Sequence, residues 1–290
     1  MKKKIFSALG IMTGTSIDGV DLSLIKSDGI NEFEPILDDY FEFNKNIQKK
    51  TEKLRDGLSN IDDLDRYSKD LNELEREITI FIGECINRFI EKNDQEIDLI
   101  GFHGQTVFHD SNIKISVQLG NGSLLSSIIK KPVINNFRQK DLLNGGQGAP
   151  LTPIYHKLIS TIINKKYEVE FPINIINIGG ITNVTKIIDN NQDPSKNIFA
   201  FDIGPGNCLI DGWIKKNSVK RFDYNGELAK SGKVDQLILN QAIDNFSGSK
   251  FDRSLDVKNF DFSFVKGLSI EDGCATITNF TAYLIAEGIN

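Results

Sequence analysis

Apolar residues recur at alternating intervals of three and four positions between residues 61 and 93. They are Leu64, Tyr67, Leu71, Leu74, Ile78, Phe81, Cys85 and Phe89. This spacing places their side chains on one face of a helix, because an α-helix turns about once every 3.6 residues. The residues between them are mostly charged and suit a solvated face. The pattern therefore predicts one long amphipathic helix over this range.

Shorter apolar runs predict the strands of an α/β fold. The runs 5–12 and 20–25 flank a glycine-rich turn, and the segment 173–188 has the same order of strand, turn and strand. Short apolar runs bounded by turn residues are typical of strands. Further strands are predicted at 97–102, 113–119, 132–137 and 197–201, and helices at 123–130, 151–163, 227–246 and 270–287. The alternation of strand and helix indicates the α/β class.

The two glycine-rich hairpins divide the chain into two similar halves. A length of 290 residues is sufficient for two domains. We expect residues 1–130 to form a first α/β domain with a phosphate-binding hairpin. We expect residues 131–290 to form a second one across a cleft, with the second hairpin and an acidic catalytic residue.

Composition and charge exclude several classes of function. A net charge of −6 and a pI near 5.3 argue against nucleic acid or an anionic membrane as the main partner. The three cysteines and three histidines lack metal-ligand spacing, so no metal centre held by the protein alone is expected. Sparse cysteines favour a reducing compartment, and we expect a cytoplasmic protein.

The turn after the first strand carries the strongest chemical signal. It comprises Gly14, Thr15, Ser16, Ile17, Asp18, Gly19, Val20 and Asp21. Glycines let a backbone approach a ligand closely, and successive N–H groups can bind an anion. Two hydroxyl groups add donors, and Asp18 can hold a cation or orient a water. An ordinary hairpin with turn-forming residues is equally compatible with this stretch alone.

A second glycine-rich turn, and an aspartate at the end of the strand that follows it, are further candidates for the site. Gly179 and Gly180 suit a backbone that contacts phosphate. Asp202 ends a predicted strand, where α/β enzymes place catalytic groups, and is a candidate general base. The turn Gly204, Pro205, Gly206 and Asn207 follows directly. From spacing alone, a carboxylate that caps this turn is the favoured interpretation of Asp202.

Polar residues at two other strand ends are candidates for binding a polyhydroxylated ligand. One group is His103, Gln105 and Thr106, and the other is Arg138, Asp141 and Gln147 within or beside the loop 145–150. An arginine can bind a carboxylate in bidentate fashion. A structural ion pair between Arg138 and Asp141 is equally supported. The sequence contains no Ser-His-Asp elbow, Walker loop or Rossmann fingerprint.

Taken in order, these motifs resemble those of the anhydro-N-acetylmuramic acid kinase family. The matching segments are 14–21, 103–106, 138–141, 145–151, 177–183, 202–207 and 269–272. The resemblance extends over essentially the whole chain. It implies an actin/hexokinase-like, or ribonuclease H-like, fold with two α/β domains around an ATP cleft. It also implies the use of Mg²⁺ with ATP, and a homodimer.

The reaction implied by the resemblance is ATP-dependent phosphorylation of 1,6-anhydro-N-acetylmuramic acid with hydrolytic opening of the anhydro ring. The product, N-acetylmuramic acid 6-phosphate, belongs to peptidoglycan recycling. Asp202 would deprotonate the attacking water. Residues 14–21, with Gly179, Gly180, Gly204, Gly206 and Asn207, would bind the nucleotide. His103, Gln105, Thr106, Arg138, Asp141 and Gln147 would bind the amino sugar, and its lactyl carboxylate would pair with Arg138.

The resemblance also predicts a departure at the C-terminus. Family members continue well past residue 290, with a strand and turn that pack on adenosine. We therefore expect the second domain to be incomplete. Two alternatives stay open at this point: a catalytically silent protein that binds a sugar or nucleotide, and a kinase for another amino sugar.

Overall fold

The computed structural model describes residues 4–14, 16–189, 197–246, 255, 257 and 260–289. The chain divides into two compact units, residues 1–151 (unit 1) and residues 152–290 (unit 2). Both units contain helices packed with strands, so the predicted α/β class is confirmed. Within the described residues, no helix is long and apolar enough to span a bilayer.

Unit 1 is built on a five-stranded mixed sheet. Its strands are β1 (Phe6–Met12), β2 (Gly19–Ser27), β3 (Phe33–Glu42), β4 (Leu99–Phe102) and β7 (Val133–Asn135), and β5 (Gln105–Asp110) and β6 (Ile115–Leu119) form a separate antiparallel ribbon. The order across the sheet is β3-β2-β1-β4-β7. The first three strands are antiparallel, whereas β1, β4 and β7 run parallel. The parallel part brings the ends of β1 and β4 to one edge of the sheet.

Helices cover this sheet and enclose the core of unit 1. They are α1 (Lys45–Gly57), α2 (Asp62–Arg66), α3 (Ser68–Asn93), α4 (Gly122–Ile129) and α5 (Phe137–Leu143). The predicted apolar stripe is confirmed in α3, where Leu74, Ile78 and Phe89 are buried. The single helix predicted over 61–93 is interrupted at Tyr67, whose ψ of 12° departs from helical geometry.

The first unit extends beyond the domain boundary expected at residue 130. Strand β7 pairs in parallel with β4, with Phe102 opposite Asn135. Helix α5 then packs against β6. Because these elements complete the sheet and ribbon of unit 1, residues 131–151 belong with the first unit rather than the second.

Unit 2 contains a three-stranded antiparallel sheet and five α-helices in its described part. The elements are α6 (Pro153–Tyr167), β8 (Ile173–Ile178), β9 (Ile181–Ile187), β10 (Ile198–Pro205), α7 (Cys208–Asn217), α8 (Glu227–Ser231), α9 (Gln236–Phe246) and α10 (Ile270–Ile289). The strand order is β10-β9-β8. The core includes Ile203 from β10, Trp213 from α7 and Phe280 from α10. These contacts fix the strand that carries Asp202.

The helix predicted over 227–246 is two helices, because α10 holds the segment between them in a non-helical conformation. The Lys233 amide donates to the Asp272 carboxylate at 2.7 Å, and the Asp235 amide donates to the Thr276 hydroxyl at 3.0 Å. The Asp235 carboxylate in turn accepts from the Ile238 amide at 3.0 Å. The local sequence pattern does not predict these tertiary hydrogen bonds.

A glycine inside α10 provides a test of the unit 2 core. A β-carbon at Gly273 would lie 2.5 Å from Nε1 of Trp213, which donates to the Ile270 carbonyl at 3.0 Å. In an open helix, glycine to alanine stabilises by about 1 kcal/mol. Overpacking of a core costs about 1–3 kcal/mol. We therefore expect Gly273→Ala to lower the free energy of unfolding, measured by urea titration.

The matched control is the same substitution in a Trp213→Leu background, where the indole is absent. The cost of Gly273→Ala should shrink or change sign there. An increase in stability in the wild-type background would contradict the packing of α10 on Trp213.

Candidate functional site

The turn between β1 and β2 is held by its own backbone and by a side chain from β5. The Ile17 amide donates to the Gly14 carbonyl at 3.2 Å, and the Ser16 hydroxyl donates to Asp18 at 2.7 Å. Nε2 of Gln105 donates to the same Gly14 carbonyl at 3.2 Å. Gln105, predicted to contact sugar, is fully buried and instead supports the hairpin turn.

Ile17 is the strained residue of this turn. Its φ of +56° lies in the left-handed region, and its side chain is fully buried in the core of unit 1. A β-branched residue rarely adopts this conformation, and such strain is frequent at ligand-binding sites. Burial of the side chain holds the turn in place. Thr15, also predicted to bind the cofactor, lies outside the described residues.

The tip of this hairpin concentrates negative charge. Asp18 and Asp21 are exposed near one another, and Tyr40 of β3 lies beside them. Partial burial raises the pKa of the Asp21 carboxyl, and the charge of Asp18 raises it further. The same electrostatic repulsion, after burial, raises the pKa of Tyr40. The turn therefore favours a cation or a cation-bound phosphate over a free anion.

His103 and Arg138 form one polar pair in unit 1. Nε of Arg138 donates to Nε2 of His103 at 2.9 Å, and Nδ1 of His103 lies 2.7 Å from the Gly104 carbonyl. Because Nε2 accepts, the ring proton is on Nδ1 and the imidazole is neutral. Burial, followed by the charge of Arg138, lowers the pKa of His103. The structure thus brings together two residues that are separated in the sequence.

Arg138 has no carboxylate partner among the residues that the structure describes. The Asp141 carboxylate instead accepts from the Gly148 amide at 2.7 Å. The structural ion pair between Arg138 and Asp141 is therefore absent. Burial lowers the pKa of Arg138, but a guanidinium stays charged. A half-buried positive charge without an anion is suited to bind the carboxylate of a ligand.

Asp141 organises the loop that contains Gln147. Its main-chain carbonyl accepts from the Gly146 amide at 2.9 Å, and a side chain at Gly146 would collide with the Asp141 carboxylate. Gly148 adopts a φ of +70°. Gln147 itself is exposed. The loop is therefore shaped by Asp141 and leaves the Gln147 side chain available to a ligand.

In unit 2, Asp202 lies at an irregularity near the end of β10. The register of β10 against β9 shifts between Asp202 and Gly204. The half-buried Asp202 carboxylate accepts from the Leu255 amide at 2.8 Å. In the described part of the chain its hydrogen bond is thus to a distant residue and not to the turn that follows. Burial raises the pKa of Asp202, and the bond from Leu255 opposes this.

The glycine turns of unit 2 are locked to each other. The Gly206 amide donates to the Gly180 carbonyl at 2.9 Å, and the Asn207 amide donates to the Gly179 carbonyl at 2.7 Å. A side chain at Gly206 would collide with the Gly179 carbonyl oxygen. The amides of Gly206 and Asn207 are therefore already paired. Gly204 is buried against Leu284 of α10.

The β5–β6 ribbon adds a polar network that the sequence reasoning missed. Nδ1 of His109 lies 2.9 Å from the Ser116 hydroxyl, to which Nε2 of Gln118 donates at 2.6 Å. Gln118 also donates to the predicted sugar-binding residue Thr106 at 3.4 Å. The polar residues Ser116 and Gln118 alternate with Ile115 and Val117. This period of two is the signal that could have identified a polar strand face.

A family model and two relatives agree with the resemblance that the motifs indicate. The family model described as anhydro-N-acetylmuramic acid kinase matches residues 6–290. An anhydro-N-acetylmuramic acid kinase of Pelagibacter ubique is 47% identical over 289 residues, which cover 99% of this chain and 75% of that protein. One of Rhodopseudomonas palustris is 37% identical over 291 residues, with coverage of 97% and 76%.

Among solved structures, an exopolyphosphatase-like protein is similar with a TM-score of 0.36 and 12% identity. The match covers 70% of this chain and 52% of that one. A similarity this low carries no argument about the site.

The burial of Asp202 predicts a gain in stability when its charge is removed. An aspartate whose pKa is raised in the folded state destabilises that state at pH values above the raised pKa and not below its ordinary value. We expect Asp202→Asn to unfold at higher urea than the wild type at pH 7. The difference should shrink as the pH falls towards 3.8, the ordinary aspartate value.

Asparagine keeps an oxygen that can accept from Leu255, so the substitution tests the charge. Exposed Asp62→Asn is the control for loss of one negative charge. If Asp202→Asn is no more stable than the wild type at pH 7, burial of the Asp202 carboxylate does not destabilise the folded state.

Proposed function

The chain belongs to the anhydro-N-acetylmuramic acid kinase family, and we propose how its residues carry out that reaction. The observation that carries the assignment is the family match over residues 6–290. The chain is a kinase that phosphorylates 1,6-anhydro-N-acetylmuramic acid with opening of the anhydro ring, in peptidoglycan recycling. The same match does not favour a silent binding protein or a kinase for another amino sugar.

The proposed nucleotide is ATP with Mg²⁺, and the donor set of the β1–β2 turn fits it. Mg²⁺ is commonly held by one or two carboxylates together with substrate phosphates. Asp18 and Asp21 supply such carboxylates at the hairpin tip. In the described ranges, no group of three or more acidic, histidine or cysteine residues could hold a metal. When bound, the ion would neutralise charge on the transferred phosphoryl group.

Residues 14–21 are proposed to contact the phosphates through their backbone and hydroxyl groups. In unit 2, the residues proposed to contact the phosphates are Gly179, Gly180, Gly204, Gly206 and Asn207. The paired amides of Gly206 and Asn207 give these two residues a shaping role. The absence of side chains at the glycines lets a phosphate approach the main chain. This arrangement is consistent with the actin/hexokinase-like fold, which we propose for both units.

Asp202 is proposed as the general base. Its carboxylate would take one proton from a water whose oxygen attacks the anomeric carbon. As that bond forms, the bond between the anomeric carbon and O6 breaks. The freed O6 takes the γ-phosphoryl group, and ADP leaves. Burial raises the pKa of Asp202, which makes the carboxylate a stronger base than an exposed aspartate.

The cluster around Arg138 is proposed to bind the amino sugar. The lactyl carboxylate of the substrate would neutralise the unpaired guanidinium. His103 holds that guanidinium through Nε, and the exposed Gln147 would add a hydrogen-bonding amide from the loop that Asp141 of the same helix holds. Thr106 and Asp141 support this cluster. A cytoplasmic location and a homodimer stay predictions.

Asp202→Asn tests the base assignment. We expect turnover to fall by about 10²–10⁴-fold, because a general base typically contributes that much. Sugar binding, measured by calorimetry, should change little. The exposed Asp261→Asn variant serves as the control. The acid limb of the wild-type kcat/KM profile should reflect a pKa above 3.8, since burial raises it. Activity should be lost as the pH falls through that value.

Retained turnover in Asp202→Asn, with an unchanged acid limb, would remove Asp202 from the mechanism. Loss of sugar binding together with turnover would instead indicate a binding role.

Arg138→Lys tests the carboxylate subsite. A hydrogen bond to a charged group contributes about 1.5–3 kcal/mol, so we expect KM for 1,6-anhydro-N-acetylmuramic acid to rise roughly 10- to 100-fold. KM for ATP should stay constant. The analogue 1,6-anhydro-N-acetylglucosamine lacks the lactyl group and should be affected little. Exposed Arg66→Lys is the control. An equal loss for both sugars would contradict carboxylate recognition by Arg138.

A further inference from the structure

Asn183 of β9 lies directly opposite Asp202 of β10, and the proposed reaction gives it no role. The two residues are paired in the antiparallel ladder, and the register shifts only after Asp202. Directly opposed residues of such a ladder project from the same face, with their β-carbons about 4.5–5.5 Å apart. Aspartate and asparagine side chains have equal length. The register therefore places the Asn183 amide beside the Asp202 carboxylate.

This pair lies on the face of the sheet that points away from the core of unit 2. Side chains alternate along a strand, and Val184, next to Asn183, is buried in that core. Thr185 shares the face of Asn183, and its hydroxyl lies 2.7 Å from Nδ1 of His156 in α6. Helix α6 thus covers the face at Thr185. Asn183 and Asp202 lie one step further along the strands, towards the glycine turns.

The fold leaves the polar end of Asn183 without a partner. The side chain is half-buried, and within the described ranges its amide makes no hydrogen bond. The neighbouring Thr182 hydroxyl, by contrast, donates to the Pro205 carbonyl at 3.3 Å. The Asp202 carboxylate accepts from the Leu255 amide through Oδ2. Because half-buried polar groups are usually paired, the Asn183 amide calls for a water or ligand.

A water shared by these two side chains would be oriented for attack on a sugar. Water has two protons, and in the proposed reaction Asp202 takes one of them. The other needs an acceptor that is not itself a base, and the amide oxygen Oδ1 of Asn183 is one. With both protons directed at side-chain oxygens, a lone pair of the water stays free for the anomeric carbon. Such orientation accelerates a reaction because the reacting atoms are already aligned.

We propose that Asn183 is a catalytic residue that holds the attacking water jointly with Asp202. One water proton passes to Asp202, and the other stays on the oxygen and is donated to Oδ1 of Asn183. The bond from this oxygen to the anomeric carbon forms as the bond to O6 breaks, and O6 takes the γ-phosphoryl group. The proposal rests on the proposed function and adds a second residue at the reacting water.

Leucine at position 183 tests this role, because it has nearly the shape of asparagine and cannot accept a hydrogen bond. We expect Asn183→Leu to lower kcat roughly five- to tenfold, as for loss of one hydrogen bond. KM for the sugar and KM for ATP should stay within about twofold of the wild type, since the lost contact is to water.

Methanol separates a contact to water from a general structural role. It has one hydroxyl proton, which Asp202 takes, so its attack makes no use of Asn183 and gives the methyl glycoside 6-phosphate. In a mixture of water and methanol, Asn183→Leu should slow hydrolysis while methanolysis changes little. Mass spectrometry should then show the product ratio shifted towards the methyl glycoside by roughly the same five- to tenfold factor.

A second measurement needs no turnover and tests the placement of Asn183. A carboxylate at this position would repel that of Asp202, so in Asn183→Asp the higher pKa of the pair should exceed that of wild-type Asp202 by about one unit or more. Carbon NMR titration of the full chain measures it. The matched control is Asn177→Asp on β8, where Asn177 lies opposite Asn183 and is exposed. It is about 9–10 Å across the sheet from Asp202 and should shift its pKa much less.

A wild-type rate of hydrolysis in Asn183→Leu would overturn the proposal, as would an equal loss of hydrolysis and methanolysis. A rise in either KM with kcat intact would show a contact to that ligand and would overturn it too. Equal carboxyl pKa values in Asn183→Asp and Asn177→Asp would contradict the placement. If Asn183→Leu does not fold, Asn183→Ala replaces it with the same expected kcat. Absence of sugar phosphorylation by the wild-type chain would instead contradict the proposed function, and the titration would still test the pairing.

Discussion

The structure of the candidate catalytic centre depends on the backbone lock between two glycine turns in unit 2. The amides of Gly206 and Asn207 donate to the carbonyls of Gly180 and Gly179, and only a residue without a side chain fits at Gly206. This lock fixes the end of β10 against the β8–β9 turn. Asp202 is consequently held in a half-buried position, where its pKa is raised. The same geometry that makes it a better base makes its charge costly to the fold.

Unit 1 carries a negative and a positive site, neither with an ion-pair partner among the described residues, and each fits one part of the proposed substrates. The carboxylates of Asp18 and Asp21 repel one another at the hairpin tip, which suits a magnesium-bound nucleotide. The guanidinium of Arg138 donates a hydrogen bond to a neutral imidazole and has no carboxylate partner among the described residues, which suits a carboxylate on the sugar. In both places a ligand would supply the missing opposite charge. Uncompensated charge that persists in a folded unit is a mark of a binding site.

The sequence predicts the elements that local patterns identify. It misses elements and boundaries that tertiary contacts determine. The apolar stripe of α3 and both glycine hairpins were predicted because periodicity and turn residues identify them. Strand β3, helix α1, strand β5, helix α5 and helix α7 were not predicted. The domain boundary predicted at residue 130 precedes the division between the units after residue 151. The difference arises because β7 has only three residues, and its pairing with β4 is what identifies it as part of unit 1. The buried side chain of Gln105 donates to the Gly14 carbonyl, a tertiary contact that the local sequence does not predict.

We propose that water opens the anhydro ring with help from Asp202 while O6 receives the phosphoryl group. The most direct test is a single turnover in ¹⁸O-labelled water, quenched at once and analysed by mass spectrometry of the sugar phosphate. We expect one ¹⁸O atom on the anomeric carbon and none in the phosphate ester. Label in the phosphate, or a phosphorylated sugar without label, would contradict it.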